Sequence, residues 1–127
     1  PWEFHPVHHP SYIDFFERVL SQTKDPAEMS QRFEKTFAED EWYRHLYRTS
    51  YAYHGVHPFY MWYWCAHALD HLGQVIIVGG NADAVRRLGF RSATTLHDAF
   101  EIATDVVGPQ PSITHYHSPP ILMADVQ

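Results

Sequence analysis

HPFYMWYWCAHALDHLGQVIIVGG, residues 57–80, is a proline-opened aromatic run that changes after Gly73 into a β-branched one. Pro58 suits the first turn of a helix, where its missing N–H costs nothing, with His57 or Val56 as the cap. Gly73 is placed to close that helix. Residues 75–78, Val-Ile-Ile-Val, form a continuous β-branched run, the pattern of a parallel strand buried on both faces. Phe59, Trp62 and Leu69 are expected to pack the helix onto this strand.

The pattern continues outward in both directions. Gly79-Gly80 gives a tight turn and Asn81 caps a short helix that runs to Leu88 and stops at Gly89. Thr94 or Thr95 caps a helix over 96–106, with Leu96, Ala99, Phe100 and Ala103 as its buried stripe, and Gly108-Pro109 ends it. Residues 112–117 alternate as a strand, broken by Ser118-Pro119-Pro120. Upstream, residues 1–10 (PWEFHPVHHP) read as an extended entry segment. Helices are predicted over 11–22, over 26–37 behind the Asp25-Pro26 cap, and over 41–47.

The chain therefore reads as one domain: an entry segment, a helical part (11–50) and an α/β segment (51–127). The fold class is α/β with Rossmann-like helix–strand layers, expected as part of a larger protein. Two strands make a poor sheet, so the rest of it is expected from undetected strands or a partner domain. A start at Pro1 rather than Met is what a fragment or processed product would show.

Composition limits the function. Nine Lys and Arg against 15 Asp and Glu give a net charge of −6, which argues against nucleic acid, because phosphate neutralisation needs clustered cations. No apolar run reaches the roughly 18–20 residues of a membrane span. A single cysteine, Cys65, excludes an internal disulfide and fits a reducing, cytoplasmic setting. Placed mid-helix among aromatics, it reads as a buried packing residue.

The 11 histidines are the compositional outlier. His54 and His57 flank Gly55 at the helix entrance, where unpaired backbone N–H groups favour anions. Either His57 donates to a carboxylate or phosphate there, or it merely caps the helix with His54 solvated. His67 and His71, at i and i+4, have the spacing of a two-imidazole chelate, yet Ala68 replaces the glutamate of the zinc-protease motif. A histidine favoured by the dipole at a helix end explains the pair equally. His115 and His117 share one face of the last predicted strand, with Tyr116 on the other. If that strand meets the aromatic helix, four imidazoles line one cleft. Gly79-Gly80-Asn81 sits where α/β proteins hold phosphates, but G-x-G-x-x-G is absent.

Three stretches, HGVHPFYMWYWCAHALDHLGQVIIVGG (54–80), RRLGFRSATTLHDAFEIA (86–103) and VGPQPSITHYHSPP (107–120), resemble the C-terminal domain of nickel-pincer lactate racemase-like proteins. The closest match is 87–103. The resemblance implies that residues 57–60 and 115–119 close over cofactor and substrate, which makes His54, His57, Tyr60, His115, Tyr116 and His117 the candidate site. It assigns the acid–base histidines and the lysine that attaches the nickel-pincer nucleotide to an N-terminal catalytic domain of the same protein. The implied chemistry is hydride abstraction from C2 of a small 2-hydroxy acid and return to the opposite face of the keto acid. The family pattern has Gln or Lys near the helix start where this chain has His57-Pro58-Phe59-Tyr60, which widens the implied substrates to larger or aromatic 2-hydroxy acids. Two readings from other classes stand beside it: a His-rich metal-binding module, and a non-catalytic oligomerisation or interaction domain.

Overall fold

The computed structural model describes residues 9–116. It is a helix-rich mixed α/β chain with a two-stranded parallel sheet. Helix α1 (Pro10–Asp14) continues into a π-helical stretch (Phe15–Val19), in which Leu20 N–H reaches back to the Phe15 carbonyl. Helix α2 (Pro26–Met29), a second π-helical stretch (Ser30–Glu34) and α3 (Lys35–Glu39) then run on without a break. Asp25 caps α2 by accepting from Glu28 N–H, as the Asp-Pro pair predicts. Asp40 does the same for α4 (Glu41–Thr49) through Tyr43 N–H.

Helix α5 (His57–Leu69) has Val56, one of the two expected residues, as its N-cap and Pro58 in its first turn, but ends earlier than expected. Its last turns bond to Asp70, His71 and Leu72, so Gly73 lies beyond the helix and does not close it. The expected partner of α5 is also different. Phe59, which is fully buried, meets Phe15 and Phe37 edge-on at 4.8 and 5.0 Å, and the core they share holds Val19, Leu20, Met29 and Trp62. The aromatic helix thus packs on α1–α3, not on the strand. Trp62 is buried as well, and its indole N–H donates to the Lys24 carbonyl at 2.9 Å, which offsets the cost of taking that N–H out of water.

The β-branched run supplies β1 (Ile76–Val78), half-buried and ending exposed rather than enclosed on both faces. Helix α6 (Ala82–Arg87) follows, with Asn81 accepting from Asp83 and Ala84 N–H as predicted, and Gly89 taking a φ of +85° to end it. The chain returns in β2 (Arg91–Ala93), parallel to β1 in the register Ile76–Arg91, Ile77–Ser92 and Val78–Ala93. This strand is one that sequence periodicity did not reveal. Thr95 and Asp98 form a reciprocal capping box for α7 (Leu96–Val107), which packs on both strands. Of the stripe expected to be buried there, only Ala99 is; Leu96 and Phe100 are 63% and 46% exposed. Residues 111–116 are irregular and exposed, so the predicted strand does not form over its described part. No helix among the described residues is long and apolar enough to cross a membrane.

Candidate functional site

The entrance of α5 is built by a reversal of the chain. Tyr51, two residues past the end of α4, takes a φ of 54°, and the segment after it turns so that His57 N–H donates to the His54 carbonyl at 2.9 Å. Gly55 is buried in this turn. A glycine lets the backbone turn here, and its missing side chain leaves room for the backbone of Phe37. Val56 is the N-cap of α5 and contributes no side-chain bond, and His57 is the first helical residue.

Around His57 gathers a set of rings. Tyr53 lies over its imidazole at 4.3 Å between centroids and 17° between planes. The Tyr12 hydroxyl is hydrogen-bonded to Nδ1 of His57, and its ring is 5.7 Å from both His57 and Tyr53. His9 completes the group, 5.0 Å from Tyr53 and 6.3 Å from Tyr12. Burial, and secondarily the neighbouring Tyr53, hold the Tyr12 phenol above its ordinary pKa, so it stays protonated. His57 is half-buried, and among the described residues its Nε2 has no hydrogen-bond partner. Tyr60, one turn further along α5, is exposed and meets Tyr63 edge-on at 6.0 Å. The arrangement places hydrogen-bonding groups and flat aromatic faces on half-buried and exposed residues.

Of the residues singled out from sequence, His57 sits in the cluster and Tyr60 adjoins it on α5. His54 turns the other way: its ring meets Tyr47 edge-on at 5.2 Å, and its Nδ1 accepts from Val56 N–H at 3.4 Å. His115 and Tyr116 lie on the exposed irregular segment, not on a strand, and His117 lies outside the described residues. His67 and His71 are exposed with rings 5.7 Å apart, and His71 falls past the end of α5. No group of three or more His, Cys, Asp or Glu able to hold a metal forms among the described residues, so the imidazoles do not assemble a metal centre there. Cys65 is exposed, which overturns its reading as a packing residue.

Tyr12, Tyr53 and His9 were missed. Tyr12 recurs at helical spacing with Phe15, Phe16 and Val19, so periodicity alone does not set it apart; a half-buried phenol needs a partner for its hydroxyl, and that need is the available signal. Elsewhere the same rule holds: the Tyr63 hydroxyl donates to Glu34 at 2.8 Å, and the Tyr43 hydroxyl is hydrogen-bonded to Asp14. Burial and these carboxylates push Tyr63 up to about 12 and raise Tyr43 further. Searches of known protein families, of curated proteins and of solved structures found no match to this chain.

Proposed function

We propose that this chain is the substrate- and cofactor-capping C-terminal domain of a lactate racemase-like 2-hydroxy-acid racemase or epimerase, inactive alone and completed by an N-terminal catalytic domain of the same protein. The observation that carries the reading is the ring cluster at the start of α5, where Tyr53 and His57 form an aromatic wall with polar edges and the Tyr12 hydroxyl braces His57 at Nδ1. A small hydroxy acid needs those two things from a capping wall: donors for its oxygens, and a surface that excludes water. The described residues do not fit the role of holding nickel, since no metal-competent group forms among them. The family resemblance assigns the nickel-pincer nucleotide to the catalytic domain, and the work of this chain would be binding, orientation and closure.

Two further features support a domain that packs against another. The sheet has two strands, so each has one edge unpaired among the described residues, as a fragment of a larger Rossmann-like layer would. Leu96, Phe100 and Val107 share one exposed face of α7, an apolar stripe suited to packing by a neighbouring domain. The exposed Cys65 thiol is in keeping with a reducing cytoplasm.

The test compares the full polypeptide encoded with this chain against the 127-residue chain alone, using chiral chromatography of D- and L-2-hydroxy acids. Interconversion by the full polypeptide and none by the chain is expected. A coding sequence without an upstream domain, or a full polypeptide that leaves every enantiomer unchanged, would overturn the proposal. A second reading, an interaction module, is favoured by α4, whose exposed Trp42 and Tyr47 stand beside Arg44 and Arg48, the residue types that dominate protein interfaces. Concentration-dependent light scattering tests it, and a chain that stays monomeric rejects self-association.

A further inference from the structure

We infer that Tyr12 is the positioning residue of this site: by donating its hydroxyl hydrogen to Nδ1, it fixes His57 as the Nε2–H tautomer and makes the ring a hydrogen-bond donor to a substrate carboxylate or hydroxyl oxygen. This rests on the capping role above for the identity of the acceptor, but not for the lock itself.

An imidazole at a surface has two freedoms that matter, the plane of its ring and which nitrogen carries the proton. Both are constrained here. Tyr53, stacked at 4.3 Å and 17°, sets the plane. The Tyr12 hydroxyl, bonded to Nδ1, sets the edge. Of the two ways to arrange the proton between phenol and imidazole, O–H···N is the stronger, because a phenol is a better acid than a neutral imidazole and an imidazole nitrogen a better base than a phenol oxygen. Burial keeps the phenol protonated, so it retains the hydrogen to donate. Nδ1 is then an acceptor and the remaining proton sits on Nε2, the nitrogen without a partner among the described residues. The same logic orients histidines in metal sites, where the partner of one nitrogen decides what the other can do. A ring locked in this form donates at Nε2 and does not remove a proton there, so His57 binds and orients, and the acid–base work falls to other groups.

The test is long-range proton–nitrogen NMR of the ring nitrogens in the labelled 127-residue chain at about pH 8, above the ordinary imidazole range. Wild type is expected to show His57 with an unprotonated Nδ1 and a protonated Nε2. In Tyr12→Phe both His57 ring shifts are expected to move toward those of a solvent-exposed, tautomer-mixed imidazole, while His54, paired with Tyr47 instead, stays unmoved and reports that the turn is intact. A proton on Nδ1 in wild type overturns the inference without any variant. So does a Tyr12→Phe spectrum in which His57 is unchanged. Because no substrate is involved, a lock found in a protein that racemises nothing removes the capping proposal alone, and racemisation without a lock removes this inference alone.

Discussion

Gly55→Ala inserts one methyl group where the chain has none to spare. A Cβ on residue 55 would stand 2.2 Å from the Phe37 carbonyl oxygen and 3.0 Å from the Tyr43 ring, whereas real Cβ contacts essentially stop at 3.0 Å. The nearest obstacle is backbone at the end of a helix, so it cannot rotate away, and the 54–57 turn or α3 has to move by about 1 Å against a close-packed interior. Overpacking of this kind costs about 1–3 kcal/mol. At roughly 4 °C per kcal/mol for a chain of this size, the melting temperature is expected to fall by about 4–12 °C. Far-UV circular dichroism of wild type and variant under identical conditions measures it. NMR of the same pair should show the His57 ring resonances displaced, because the turn that moves is the one that delivers His57. A melting temperature within about 1 °C of wild type would refute the reasoning and mean that the turn has slack that a close-packed contact does not allow.

Thr95→Ala removes one half of the α7 capping box and is expected to cost about 1 kcal/mol, with faster amide exchange confined to the first turn of that helix. Trp62→Phe leaves the Lys24 carbonyl without its indole donor and should cost about 1–3 kcal/mol in urea unfolding. Tyr63, raised in the folded state to about 12 from an ordinary 10.0, favours the folded chain while the phenol is protonated in both states. That contribution is present below pH 10 and is lost as the pH climbs toward about 12, so Tyr63→Phe should flatten the alkaline fall of stability; an unchanged slope would contradict the Tyr63–Glu34 bond. Cys65 should react with a water-soluble disulfide reagent in native buffer about as completely as in denaturant, and a thiol silent until unfolding would contradict its exposure.

What the sequence made legible was mostly local chemistry. Asp25, Asn81, Thr95 and the glycines at 89 and 108 act through backbone within a few residues, so their signals survive without knowledge of the tertiary structure. The failures concern partners distant in sequence. The aromatic run in α5 gave helix and burial, but nothing in it says whether Phe59 faces a strand or Phe15 and Phe37. Arg91-Ser92-Ala93 has neither alternation nor β-branched bulk and becomes a strand only because Val75 and β1 lie alongside it to receive its hydrogen bonds. Leu96 and Phe100 have the spacing of a buried stripe, and periodicity describes the face of a helix, not what covers it. At the site, His57 was visible because it stands beside Gly55 at a helix entrance, a local feature, whereas Tyr12 lies 45 positions away and its role depends on the contact between α1 and α5.

The most direct measurement is the steady-state racemisation of a 2-hydroxy acid by the full polypeptide, wild type against His57→Ala. If the entrance of α5 faces the substrate and His57 donates to it, kcat/KM falls by about tenfold or more, the loss of one well-placed hydrogen bond, with KM carrying most of the change. A variant with wild-type kcat/KM would contradict the account, because the cluster on which it rests would then lie outside the substrate's reach.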